Sequence, residues 1–161
     1  MTCNLIAQEL TAEAIAPYVT VLAAAERKAA VFAPVLEIGD VPGHHAFTIL
    51  CPDPVDGGSV SIAALERHPH STQSFLPIRA GRWLVLVAPT SADGSPDLSG
   101  ARAFVAGPEQ AICIGRNVWH AGLTVFDKPA EFGMIMWKAD GGDDGVLFPL
   151  DVPLTVAIPG L

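Results

Sequence analysis

Short apolar runs, separated by glycine, proline and aspartate, recur along this chain from about residue 45 onward. Runs of this length that are rich in β-branched and aromatic residues and bounded by turn residues are typical of β-strands. Many short strands with few helices indicate an all-β sandwich or barrel. The predicted strands are His45–Cys51, Ser59–Ala63, Gln73–Ile78, Trp83–Ala88, Arg102–Val105, Ala111–Ile114, Gly122–Phe126, Phe132–Lys138 and Val152–Ile158.

The segment before these runs has a helical pattern instead. Thr11 can cap a helix over Thr11–Ala16, Glu13 favours its first turn, and Pro17 interrupts it. The alanine-rich stretch Val19–Ala30 is consistent with one or two further helical turns. We therefore expect a short N-terminal helix ahead of the β-structure.

Length and composition limit the class of protein. The 161 residues contain no internal repeat and no long linker, so we expect a single domain, residues 1–161. Half of the residues (50%) are hydrophobic and 16% are charged, which is typical of a compact globular chain. A net charge of −8 argues against nucleic acid or an anionic membrane as a partner, because either would repel the protein.

The cysteines and the N-terminus favour a cytoplasmic location. Cys3, Cys51 and Cys113 are odd in number and have neither disulfide-framework nor metal-type spacing. The N-terminus has no basic region followed by a long apolar stretch, so we expect no secretory signal and no membrane span.

Two polar segments, Glu66–Gln73 and Arg116–His120, carry the candidate chemistry. Side chains alternate on an extended chain, so Glu66 and His68 point to the same face. A carboxylate, two imidazoles and the Gln73 amide oxygen are suited to holding a divalent metal or to moving protons. We therefore predict that Glu66, His68, Gln73 and His120 share one pocket.

Several colinear motifs lie between about Ser61 and Leu123. They are Leu65-Glu66-Arg67-His68-Pro69, Thr72-Gln73, Phe75, Pro77, Pro96-Asp97-Leu98-Ser99, Arg102-Ala103-Phe104, Gly107, Glu109-Gln110 and Arg116-Asn117-Val118-Trp119-His120. Together they resemble the ureidoglycolate lyase family, a branch of the cupin superfamily. The resemblance implies a cupin-like β-barrel of the jelly-roll type.

The cupin pattern assigns places to the polar residues. Cupins carry His-x-His, then a carboxylate, a glycine and a final histidine on a later strand. Here Glu66 and His68 take the first two histidine places, Gln73 the carboxylate place, Gly81 the glycine place and His120 the last. The resemblance implies that Glu66, His68, Gln73 and His120 hold one divalent metal ion, with weaker donors than the usual set, and that no organic cofactor is needed.

The resemblance also implies a reaction, the cleavage of ureidoglycolate from allantoin and purine catabolism into glyoxylate and urea. A base removes the hydroxyl proton, the carbonyl of glyoxylate forms, and the departing nitrogen is protonated. His120 or Glu66 is then the base, while His68 holds a metal or donates the proton.

The small-molecule substrate is expected to be bound by Gln73, Arg116, Asn117 and Lys138. The chain departs from the family where arginine-containing motifs are expected. In their place it has Ile49–Pro52, Val31–Leu36 and Met136–Lys138. Arginine grips a carboxylate bidentately, whereas Lys138 can act only as a point charge. A family member acting on a different small carboxylic acid, or a non-catalytic cupin that binds a small molecule, is the alternative.

Other interpretations stay open for several of these residues. Histidines that merely line a barrel mouth are the alternative to a site, although the shared register of His68 and His120 favours the site. Arg67 points away from Glu66, so a salt bridge or a dimer contact is as well supported as substrate contact. Arg116 and Asn117 suit hydrogen bonds that aim His120 as well as substrate binding. Cupin barrels pair through exposed strands, which together with the apolar composition favours a homodimer.

Overall fold

Two β-sheets form the protein in the computed structural model, which describes residues 4–23, 28–32, 36–142 and 144–161. The described part contains thirteen strands, one α-helix (α1, Ala12–Ile15) and a 3-10 helix, Leu98–Gly100. The strands are β1 Asn4–Ile6, β2 Gln8–Glu9, β3 Val19–Leu22, β4 Gly43–Leu50, β5 Ser59–Arg67, β6 Gln73–Arg79, β7 Trp83–Ala88, β8 Arg102–Ala106, β9 Ala111–Ile114, β10 Trp119–His120, β11 Thr124–Val125, β12 Glu131–Ala139 and β13 Val146–Ala157.

The first sheet curls into a nearly closed barrel. Its strand order is β1-β13-β5-β10-β7-β8-β2, and β11 also pairs with β7. The strands β1 and β2 are separated only by Ala7, and β1 approaches β8 across the gap. The second sheet has the order β3-β9-β6-β12-β4 and is antiparallel throughout. The predicted cupin-like, all-β architecture is confirmed.

Strand β7 lies between two hydrophobic cores. All six of its residues are buried, as its continuous apolar run predicts for a strand covered on both faces. Trp83, Val85 and Val87 pack into the core between the two sheets. The alternate residues of β7 pack into a second core inside the curl of the first sheet. Both cores therefore depend on the same strand.

The N-terminal helix is confirmed, but the second helical segment is wrong. The Thr11 hydroxyl accepts a hydrogen bond from the Ala14 N–H at 3.1 Å, and the helix buries Ile15. In the stretch predicted as helical turns, Val19–Leu22 forms β3, which pairs antiparallel with β9. Pairing along an available sheet edge outweighs the local helix preference of the alanines, since propensity is a weak prior. Residues 24–27 of that stretch lie outside the described residues.

Every strand predicted from the apolar runs is present; β7 and β9 have the predicted bounds, and the other strands have shifted ends. The largest shift is in β13, which starts at Val146 instead of Val152 and is irregular between Pro149 and Leu154. Proline cannot donate to a sheet ladder, which explains why this half was not recognised from its sequence. Within the described residues, the helices are too short and polar to cross a lipid bilayer.

Candidate active site

Four polar side chains from separate strands meet at one end of the space between the sheets. Glu66 lies near the end of β5, His68 follows that strand, Gln73 begins β6, and His120 ends β10. Glu66 and His120 are direct partners across the β5/β10 ladder. The convergence expected from sequence spacing is therefore produced by strand register.

The contacts within this group are short. The Nε2 atom of His120 lies 3.0 Å from Oε1 of Gln73 and 3.6 Å from Oε1 of Glu66. The Nε2 atom of His68 lies 4.0 Å from the same Glu66 oxygen, and the two imidazole centroids are 5.3 Å apart. His68, Gln73 and His120 are buried, whereas the Glu66 side chain is 35% exposed. The group is thus reached from solvent at Glu66.

Backbone carbonyls fix the orientation of both imidazoles. The Nδ1 atom of His68 lies 2.7 Å from the Asp144 carbonyl oxygen, and that of His120 lies 2.8 Å from the Val118 carbonyl oxygen. Because a carbonyl oxygen can only accept, each Nδ1 carries a hydrogen and donates it. Both Nε2 atoms then face the centre of the group, the orientation found in metal-binding histidines.

The side chains present fit a divalent metal ion. Ligand atoms of Glu66, His68 and His120 all lie within 4.8 Å of one another. Nε2 of His68 is buried and has no hydrogen-bond partner among the described residues. The Gln73 oxygen and His120 Nε2 are at hydrogen-bond distance, so either a proton on the ring or a shared cation must lie between them. Two nitrogens and a carboxylate, with an amide oxygen beside them, form a donor set that suits first-row divalent metals.

Glu66 and His68 have lowered pKa values for different physical reasons. The His120 ring, whose Nε2 lies 3.6 Å from the carboxylate, lowers the pKa of Glu66 and outweighs the opposing effect of burial. Burial lowers the pKa of His68, because the charged imidazolium would lose its hydration. At neutral pH an ionised carboxylate therefore lies beside a neutral imidazole.

Methionines of β12 form the wall behind Gln73. The Gln73 amide nitrogen donates to the sulfur of Met134 at 3.4 Å and lies 3.9 Å from that of Met136. These contacts turn the amide oxygen toward His120. Met134 and Met136 alternate along β12 and therefore both lie on the side of the strand that faces Gln73.

Lys138 lies at the mouth of the site. Its ammonium is 3.3 Å from a carboxylate oxygen of Asp144, and its side chain is 37% exposed. Its charge contributes to the lowered pKa of both Glu66 and His68, which places it on the site side of β12. It therefore provides a positive charge at the mouth of the site, on the side where the Glu66 side chain reaches solvent.

Arg116 and Asn117 lie in the turn before β10. The Arg116 guanidinium donates to the Pro69 carbonyl at 3.2 Å and the Ile38 carbonyl at 3.3 Å, and it pairs with Glu37 at 3.4 Å. Asn117 has a φ of 59°, and its N–H donates to the His68 carbonyl at 3.1 Å. Of the two interpretations left open by the sequence, these contacts favour a turn that aims His120.

Sequence reasoning missed Asp144 and Val118, whose backbone oxygens orient the histidines. A backbone contact carries no signal in residue type, and Asp144 lies in the glycine-rich loop between β12 and β13. Among the described residues, Arg67 forms no ion pair, while the dimer contact and the substrate contact considered for it stay predictions. Its guanidinium carbon lies 4.7 Å from the centre of the Trp119 ring.

The protein is a β-barrel built from two sheets, and it has two imidazoles and a carboxylate at one end. This arrangement is that of the cupin class of proteins. The sequence profile of the family described as ureidoglycolate lyase matches residues 2–156. A protein of Agrobacterium fabrum, provisionally named ureidoglycolate lyase, is 36% identical over 152 residues, which cover 94% of each chain. Proteins named ureidoglycolate lyase from Escherichia coli O1:K1 and Shigella boydii serotype 18 are 41% identical over 73 residues, 45% of this chain and 44% of theirs.

The chain belongs to the ureidoglycolate lyase family. It is therefore a lyase, and the non-catalytic alternative raised by the sequence is not favoured.

Proposed function

We propose that this enzyme cleaves ureidoglycolate into glyoxylate and urea in allantoin catabolism. The observation that carries the proposal is the meeting of Glu66, His68 and His120 at one solvent-reached point, in a chain of this family. The family match does not favour the alternative of a different small carboxylic acid. Glyoxylate forms when the C2 hydroxyl of the substrate loses its proton, the carbon–oxygen double bond forms, and the bond from C2 to nitrogen breaks.

Two protons must move, and the two imidazoles are suited to move them. Nε2 of His68 is unprotonated and has no described hydrogen-bond partner, so it is the atom available to accept the hydroxyl proton. Nε2 of His120 faces two oxygen acceptors, Gln73 at 3.0 Å and Glu66 at 3.6 Å, and is the ring atom placed to carry the second proton of the reaction. That proton is available to the departing urea nitrogen. This assignment exchanges the roles that the sequence suggested for the two histidines.

Glu66 and Lys138 supply the charges of the proposed mechanism. The Glu66 carboxylate lies 3.6 Å from Nε2 of His120, close enough to interact with that ring whenever it carries a proton in the reaction. Lys138 would pair with the substrate carboxylate at the mouth, the task for which the family is expected to use arginine. Gln73 would hold the ring of His120, and Arg116 and Asn117 would support the turn beneath it.

A divalent ion is the other arrangement that these side chains support. Glu66, His68 and His120, with Gln73 beside them, would hold it, and it would supply Lewis acidity to a substrate oxygen. Elemental analysis of protein purified without a histidine tag distinguishes the two arrangements. One metal per chain would favour the ligand role of the histidines, and metal-free active protein would favour the proton-transfer role.

We further propose a single-domain, cytoplasmic homodimer. The Cys51 thiol is exposed and free, which suits a reducing compartment. Strand β4 is the edge of the second sheet, and its Phe47 and Ile49 side chains are 64% and 49% exposed. An unpaired apolar edge of this kind is suited to pairing with a second copy.

The test is an assay of glyoxylate release from ureidoglycolate. His68→Ala and His120→Ala should each lower kcat by at least a hundredfold, because each removes a proton-transfer group or a ligand. His45→Ala is the matched control, since His45 is an exposed imidazole that packs against Trp137 outside the site. Full activity in both site variants would rule out the proposed centre.

A further inference from the structure

The ladder between β5 and β10 has two different faces. On the site face, Glu66 is the direct partner of His120. The next residues along each strand, Arg67 and Trp119, point to the opposite face, where they contact each other. The same pair of strands therefore carries a reactive pair on one side and a stacked pair on the other.

The stacked pair joins a half-buried arginine to a buried indole. The guanidinium carbon of Arg67 lies 4.7 Å from the centre of the Trp119 ring, and Trp119 is 1% exposed. Phe148 packs edge-on against the same indole, with centroids 5.8 Å apart. The Nε atom of Arg67 and the Nε1 atom of Trp119 are buried without hydrogen-bond partners among the described residues. The attraction between the cation and the ring is therefore the contact that this side of the guanidinium makes with the protein, and it strengthens where water is excluded.

Strand β10 lies between β5 and β7, and its backbone is held more firmly on the β7 side, where both Trp119 and His120 are paired. Strand β10 has two residues, and its ladder to β5 contains the single His120–Glu66 pair. Asn117, two residues before Trp119, has a positive φ, so the chain enters β10 from a turn and not from an extended strand. On the β5 side, contacts between side chains of the two strands therefore add to a backbone ladder of one residue pair.

We propose that Arg67 is a positioning residue of the active site. By stacking on Trp119 it holds β10 against β5, and this keeps His120 Nε2 at 3.0 Å from Gln73 and 3.6 Å from Glu66. Arg67 touches neither substrate nor reacting atoms and acts through the strand. Its effect on turnover rests on the proposed function, but its effect on His120 does not.

The variants are Arg67→Met, which keeps the alkyl length but removes the charged plane, and Arg67→Lys, which keeps a cation. Arg102→Met is the matched control, because Arg102 also lies over aromatic rings, 5.8 Å from that of Tyr18 and 5.6 Å from that of Phe104, outside the site. We expect Arg67→Met to lower kcat for glyoxylate release about tenfold or more with KM within about twofold, since small misplacements of reacting groups are costly. Arg67→Lys should restore kcat to within about threefold, and Arg102→Met should keep both parameters.

Nitrogen NMR of the His120 ring gives the second readout. The Nε2 and Nδ1 shifts should move in Arg67→Met and stay in place in Arg102→Met. Unchanged shifts and wild-type kcat in folded Arg67→Met would overturn the proposal. If Arg67→Met does not fold, Trp119→Phe is the test variant, and its kcat is expected to fall about threefold. A wild-type kcat together with unchanged His120 shifts in Trp119→Phe would then overturn the proposal. Wild-type protein that releases no glyoxylate would refute the proposed function, while the His120 shifts would still test the positioning role.

Discussion

Lys138→Met is the variant that most directly tests how the substrate carboxylate is held. Lys138 is the cation at the mouth of the site, and it takes the place where the family is expected to carry arginine. Methionine keeps most of the side-chain length and removes the charge. If Lys138 binds the carboxylate equally in the ground state and the transition state, KM should rise and kcat should stay nearly unchanged.

The size of the change follows from the surroundings of the ammonium. Two unit charges 4 Å apart attract by about 4 kcal/mol near a protein surface and by about 1 kcal/mol in bulk water. Lys138 is 37% exposed, and Asp144 at 3.3 Å already neutralises part of its charge. A value near the lower end, about 1.4 kcal/mol, corresponds to a roughly tenfold rise in KM.

The assay is steady-state glyoxylate release over a range of ureidoglycolate concentrations. Arg79→Met is the control, because Arg79 forms an ion pair with Glu131 at 3.5 Å, is 66% exposed and lies outside the site. Lys138→Arg should match or lower the wild-type KM, since the guanidinium can bind a carboxylate through two hydrogen bonds. An unchanged KM in Lys138→Met would show that the carboxylate is held elsewhere.

Two further predictions concern stability. Arg82 lowers the pKa of Asp127 to about 2 from 3.8, so the stabilisation by this carboxylate is complete above about pH 4 and is lost as pH falls toward 2. Because the Asp127 side chain is 36% exposed, solvent screens the pair, and we expect Asp127→Asn to lower the free energy of unfolding by about 1 kcal/mol at pH 7. The difference between the two proteins in urea titrations should shrink as pH falls from 4 to 2. Gly81→Ala should cost about 1–3 kcal/mol in the same measurement, because the added Cβ would lie 2.6 Å from the Phe126 carbonyl oxygen; wild-type stability would show that the backbone yields there.

Local sequence patterns account for most of the sheet structure. The apolar runs of β6, β7 and β9 are bounded by turn residues, and each strand begins where its run begins. The same patterns did not predict strands whose conformation is determined by pairing with distant parts of the chain. Strand β10 is too short to show a period, and β3 was mistaken for helix because its partner β9 lies about ninety residues away in the chain. Such partners are invisible to a local window.

For the candidate site, sequence patterns supplied the side chains but not the contacts between them. The alternation of Glu66 and His68 is a local property and can be read directly. The contact of His120 with Gln73 depends on how β10 and β6 approach across the two sheets, which no spacing encodes. The pairing of Lys138 with Asp144 likewise depends on the loop between β12 and β13.

The position of β7 between the two cores determines which parts of the molecule can unfold locally. Its odd and even residues belong to different cores, so neither can lose its packing without removing support from the other. Local fluctuations should therefore spare this strand, and its amide protons should exchange with deuterium only when the whole chain unfolds. The slowest-exchanging amides should be those of β7, and both sheets should melt in one cooperative transition.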